Sequence, residues 1–112
     1  MKSFACYLIA IGISAGAFGA HSLRHSITPE RLDVFNTAVF YQITISILLL
    51  NFINMNSISS KVTLTLAAGI IIFSGSLYTL VLFDLPWLGA ITPVGGLLMI
   101  LSIVAAGFKI KN

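Results

Sequence analysis

The chain has 112 residues, of which 58% are hydrophobic and only 8% charged, with a mean hydropathy of +1.06. A soluble domain carries about 25% charged residues; a surface this poor in charge cannot face water, so lipid is the solvent for most of it. The net charge of +3 comes from six basic and three acidic residues, too sparse and scattered for a nucleic-acid footprint but suited to loops that face anionic lipid and set topology.

Four apolar stretches follow one another: Phe4–Ala20, Val34–Ile53, Val62–Phe83 and Ile91–Phe108. None contains Asp, Glu, Lys or Arg, and each has about the 17–25 residues that a helix needs to cross ~30 Å of hydrocarbon. The connectors His21–Asp33, Asn54–Lys61 and Asp84–Ala90 are short, which forces neighbouring helices to run antiparallel. The expectation is an all-α polytopic membrane protein, a four-helix antiparallel bundle forming a single transmembrane domain over residues 1–112.

The first stretch follows Lys2 and ends in GAFGAH, Gly16 to His21. A basic residue, an apolar run and the small residues Ala17 and Gly19 resemble a signal peptide with its cleavage site. Against cleavage, Gly12, Gly16 and Gly19, with Ala5 and Ala15, give this helix a surface of small residues that lets another backbone approach closely. Such a surface is useful only if the helix stays, so it is read as retained. Cys6, the one cysteine, has no partner for an intrachain disulfide and is expected to pack within this helix. His21 closes the outer end. His21 and His25 are four residues apart, but a typical metal site needs three or four ligands, so both are read as interfacial polar residues.

Thr28-Pro29-Glu30 supplies a capping hydroxyl, a proline for the first helical position and an acid in the first turn. The second helix is therefore expected to start near Pro29 and to enter lipid near Val34. Arg24 and Arg31 are expected to contact lipid phosphate or to pair with Glu30 and Asp33. Tyr41 and Gln42 then lie about seven residues inside, roughly 10 Å deep. The third helix carries Ser74, Gly75, Ser76 and Tyr78 at comparable depth. Trp87, flanked by Tyr78 and Phe83, reads as an interfacial aromatic belt. Thr92-Pro93 repeats the cap and proline at the start of the fourth helix, with Gly95 and Gly96 just inside.

Lys2, Lys61, Lys109 and Lys111 share one side of the membrane, and Arg24 and Arg31 the other; the excess of basic residues places both termini in the cytoplasm. His21, Tyr41, Gln42, Ser74, Ser76, Tyr78 and Thr92 then form a polar cluster in the outer half. A buried amide in lipid is costly unless paired, so Gln42 is expected to find partners among Ser74, Ser76 and Tyr78. Two readings stay open: interhelical hydrogen bonding, and an outward-facing pocket for a lipid or small molecule. Gly12, Gly16, Gly19, Gly75, Gly95 and Gly96 are expected at close helix contacts.

GAFGAH (Gly16–His21), YQ (Tyr41, Gln42), FSGSLY (Phe73–Tyr78) and ITPVGG (Ile91–Gly96) occur in that order. In motif and spacing the chain resembles the YgdD/YwdK family of small membrane proteins, catalogued as domain of unknown function 423. The resemblance covers nearly the whole chain and implies a four-helix inner-membrane protein without an assigned activity. Two positions depart from the family's pattern: Ile45 stands where the second helix typically has a histidine, and Ser102-Ile103 where the fourth often has Gly-Trp.

Ion-coupled transporters and pumps place Asp, Glu, Lys, Arg or His within the membrane, and the four stretches hold none. No catalytic constellation, cofactor motif or metal motif is identifiable. The leading expectation is a non-enzymatic structural or accessory membrane component whose partners are membrane lipids, with other membrane proteins and self-association open. The alternative is a lipid or small-molecule binder.

Overall fold

A computed structural model describes residues 1–110; Lys111, counted above for topology, lies outside them. Four helices, α1 (Lys2–His21), α2 (Pro29–Ile53), α3 (Ser60–Phe83) and α4 (Thr92–Lys109), are joined by connectors that include 3-10 turns at Leu23–His25 and Pro86–Ala90. All four are long and apolar enough to span a membrane. At 1.5 Å of rise per residue the longest, with 25 residues, reaches about 38 Å.

Local chemistry sets the helix starts. Thr28 caps α2, its Oγ1 accepting from the Arg31 amide at 3.3 Å, with Pro29 behind it at the first helical position. Ser59 caps α3 in the same way, accepting from the Val62 amide at 3.4 Å. At α4 the expectation fails. Ile91 is the capping residue and Thr92 lies inside the first turn, because the 3-10 turn Pro86–Ala90 runs directly into the helix. The Thr92 hydroxyl turns back to the Leu88 carbonyl at 3.2 Å instead of capping.

Helices α2 and α3 form the centre; α1 packs on α2 and α4 on α3, and among the described residues α1 and α4 share no extensive interface. Lys2, Lys61 and Lys109 lie at one end, called the lysine end below, and Arg24 and Arg31 at the other, the arginine end. The larger apolar core draws on all four helices toward the lysine end, through Ala5, Leu49, Phe52, Leu66, Met99 and Ala106. A smaller one at the arginine end joins Leu23, Phe35 and Val81. Large apolar side chains such as Tyr7, Ile13, Phe40, Leu97 and Phe108 point outward, where lipid takes the place of water. Cys6 also points outward; the inner side of α1 is occupied by smaller residues, Ala5 and Gly12.

Candidate functional site

Between the two cores lies a layer of polar side chains centred on Gln42, which is 3% exposed and close to the midpoint of α2. Its Nε2 donates to the Leu8 carbonyl on α1 at 2.7 Å, and its Oε1 accepts from the Tyr78 hydroxyl on α3 at 2.6 Å. A carbonyl can only accept, so the Leu8 oxygen dictates which way the amide points. Gly12 stands beside this reach: a Cβ there would make ordinary contact with the Gln42 amide, at 3.5 Å, but would lie only 2.7 Å from Ile43 Cγ1. The absent methyl lets Ile43, and with it α2, lie close against α1 one turn after Leu8. The Gln42 side chain thus ties three helices together.

Ser74, one turn before Tyr78, donates to the Ala38 carbonyl of α2 at 2.9 Å. Ser76 faces the other side of α3, where its Oγ lies 2.6 Å from Thr92 Oγ1 on α4. Each of these hydroxyls also has a backbone acceptor, Phe73 O for Ser76 and Leu88 O for Thr92. Whichever donates to the other, a carbonyl takes the remaining proton. The sequence cluster therefore resolves into two linked bonding sets, one joining α1, α2 and α3 and the other joining α3 to α4.

Two of the cluster's expected members stand apart. Tyr41 is 39% exposed; its ring packs edge-on against Phe40 at 5.3 Å and Phe73 at 5.1 Å between centroids, outside both bonding sets. His21 is exposed at the end of α1, away from both bonding sets. His21 and His25 do not share a helical face, because α1 ends between them. His25 instead accepts from Arg24 Nε at 3.4 Å. Among the described residues, no three of His, Cys, Asp and Glu come together as a metal site would require.

Arg31 also departs from expectation. It reaches not to Glu30 or Asp33 but to the end of α3, donating to the Val81 carbonyl and lying 3.5 Å from Asp84 Oδ1. The reason is the way α3 stops. Asp84 adopts left-handed geometry (φ 56°, ψ 52°), and the amides of both Asp84 and Leu85 turn back to the Leu80 carbonyl. The carbonyl of buried Val81 is left without a helical donor, and helix C-terminal carbonyls need one. Arg31 supplies it.

The glycines divide by what they face. Gly12, Gly16 and Gly19 meet Ile43, Val39 and Phe35 of α2 in turn, with Cβ positions 2.7, 3.2 and 3.0 Å from those side chains. Gly95 meets backbone: a Cβ there would lie 2.8 Å from Phe73 Cα and 2.9 Å from the Gly69 carbonyl oxygen. Gly69, not singled out in the sequence, is the other half of this crossing, its Cβ position 3.0 Å from the Gly95 oxygen. The small run Ala67-Ala68-Gly69 is the signal that marks it. Gly96 makes only ordinary contact with the Phe73 ring, at 3.6 Å. Gly75, expected at a close contact, has nothing within 4 Å of a Cβ. It lines a shallow groove of about 190 Å³ between α1 and α3, which Gln42 of α2 and Ser74 and Tyr78 of α3 also line.

A family model described as a protein of unknown function (DUF423) matches residues 15–96. The chain belongs to that family. It is 40% identical to UPF0382 membrane protein YwdK of Bacillus subtilis (strain 168), over 91% of this chain and 89% of that protein. It is likewise 40% identical to UPF0382 membrane protein SAB0533 of Staphylococcus aureus (strain bovine RF122 / ET3-1), over 88% of this chain and 87% of that one. No solved structure matches. This DUF423 chain is thus an integral membrane protein of a family without an assigned activity. The stretch matched by the family model takes in Gln42, Ser74, Ser76, Tyr78, Thr92 and the Gly69–Gly95 crossing, while Leu8 and Gly12 precede it.

Proposed function

We propose that this protein is a non-enzymatic structural or accessory component of the cytoplasmic (inner) membrane, with both termini on the cytoplasmic side. One observation carries the reading: among the described residues the buried polar side chains of the spans, Ser46 excepted, are engaged with the chain itself. Gln42, Tyr78, Ser74, Ser76 and Thr92 bond to one another or to helix carbonyls, and Ser102 donates to Leu98 O. Interhelical hydrogen bonds of this kind average about 0.6 kcal/mol in membranes. They fix the rotation of each helix more than they add stability. The lysine excess at the end holding Lys2 supports the orientation.

A second reading, binding of a lipid or small molecule, is favoured by the groove beside Gly75, which Gln42 and Ser74 help to line and where a side chain on Gly75 would meet open space. Two variants separate the readings. Gln42→Leu removes both amide bonds and should cost about 1–2 kcal/mol of stability in detergent while still complementing a strain that lacks the gene. Gly75→Leu fills the groove without touching any hydrogen bond and should leave both melting and complementation unchanged. If Gly75→Leu melts normally but loses complementation together with a co-purifying molecule, the groove is a binding site and the structural reading falls.

A further inference from the structure

A second groove, of about 160 Å³, lies between the start of α3 and the last turns of α4, lined by Lys61, Val62, Thr65, Leu101, Ser102 and Ala105. Its two hydroxyls are engaged within their own helices: Thr65 Oγ1 donates to Lys61 O at 2.7 Å and Ser102 Oγ to Leu98 O at 2.7 Å. What the walls offer is hydrocarbon. Lys61, exposed in the first turn of α3, stands where the groove reaches the membrane surface, and the positive end of the α3 dipole adds to its charge. The chain's three acidic side chains, Glu30, Asp33 and Asp84, all lie at the opposite end. Lys2 and Lys109 share the lysine end with Lys61.

Charge and lining together choose the occupant: an exposed lysine at one end and, below it, walls whose hydroxyls are already bonded within their own helices. A cation at the surface end with apolar walls below matches a molecule that is anionic at the headgroup and aliphatic beneath it. We propose that this groove binds an anionic phospholipid of the surrounding bilayer, its phosphate on the Lys61 ammonium and one acyl chain along Val62, Leu101 and Ala105. The site is separate from the polar layer and does not depend on the function proposed above.

Native mass spectrometry of the full chain, released from detergent carrying equal amounts of phosphatidylglycerol and phosphatidylcholine with matched acyl chains, tests this. Phosphatidylglycerol should be retained preferentially. Lys61→Gln should reduce that preference about fivefold, the usual effect of one lysine at an anionic membrane surface. Ala105→Leu should lower retention of both lipids with every charge in place. Lys2→Gln, at the same end but outside the groove, should have a clearly smaller effect than Lys61→Gln. Circular dichroism would verify that each variant keeps its helices. Equal retention of the two lipids, equal effects of Lys2→Gln and Lys61→Gln, or competition by the water-soluble glycerophosphoglycerol headgroup alone would each overturn the proposal.

Discussion

Toward the lysine end the helices meet through Ala5, Leu49, Phe52, Leu66, Met99 and Ala106, whereas above them Gln42, Ser74, Ser76, Tyr78 and Thr92 cross the same interfaces with directed hydrogen bonds. The difference matters because of the solvent. Lipid tails are as apolar as leucine, so burying the lysine-end core gains dispersion and shape fit but little transfer free energy. An apolar interface in lipid has no strong preference for one helix rotation over another. A bond from Gln42 to Leu8 O, or from Ser74 to Ala38 O, exists at one rotation only. The apolar half supplies contact area and the polar half supplies register, and between them the glycines set how close the backbones come.

The sharpest way to break the comparison is at the closest approach, which needs neither a core side chain nor a hydrogen bond. Gly95→Ala puts a methyl against the backbone of Phe73 and the Gly69 carbonyl, neither of which can swing aside. We expect a loss of about 3 kcal/mol, the upper range of overpacking costs, read as a large drop in detergent melting temperature by circular dichroism. Gly16→Ala meets only Val39 Cγ1, at 3.2 Å, and should cost much less. Equal melting of the two variants would mean that backbone contact at the α3–α4 crossing does not govern stability.

Much of this architecture was legible in the sequence because lipid imposes it. Uncharged runs of spanning length mark the helices, the Thr28-Pro29 start is where it was read, and the small residues of α1 face α2. What was not legible is how α3 and α4 are rotated. In a soluble helix the polar face reveals the buried one by contrast; here Leu97 and Ile100 outside are as apolar as Met99 inside, so periodicity carries no signal. On α3, neither the open position of Gly75 nor the close crossing at Gly69 carries a label in the sequence for that reason. Spacing offers Arg31 lipid phosphate or the nearby acids Glu30 and Asp33; its partner in the fold, the Val81 carbonyl, is a consequence of how α3 terminates, which no spacing rule exposes. The hydrogen bonds of Gln42 were half legible: an amide in lipid must be paired, and Tyr78 was among the partners expected, but a main-chain acceptor on α1 carries no side-chain label.

The next largest effect is expected at the arginine end. Arg31→Met keeps the aliphatic stem but removes the donor to the Val81 carbonyl, leaving a buried acceptor unpaired. The cost should be about 1–2 kcal/mol. Asp84→Asn provides the control. Asp84 is 80% exposed and 3.5 Å from Arg31, an ion pair of the kind that contributes little, so its variant should melt within about 0.5 kcal/mol of the parent. If Asp84→Asn costs as much as Arg31→Met, the ion pair and not the carbonyl cap is what holds α2 to the end of α3.

The smallest effect has the opposite sign. Ser46 lies one turn from Gln42 toward the lysine end, on the border between the polar layer and the apolar core, and is fully buried. Among the described residues its Oγ is the one buried side-chain polar atom without a hydrogen-bond partner. Other hydroxyls and amides of the chain, such as Thr65, Thr79 and Asn51, return to the carbonyl four residues back; Ser46 does not. A buried polar group left unpaired carries a desolvation cost of about 1–3 kcal/mol, and removing it leaves only a small void. Ser46→Ala also gains slightly in helix propensity. The variant should therefore match or exceed the parent in stability, by up to about 1 kcal/mol, with unchanged helicity. Gln42→Ala, one turn away on the same helix, should move melting in the other direction. Opposite signs four residues apart would locate the border between the two halves at this turn of α2. A destabilised Ser46→Ala would mean that the hydroxyl has a partner after all, and that the polar layer extends a turn deeper toward the lysine end.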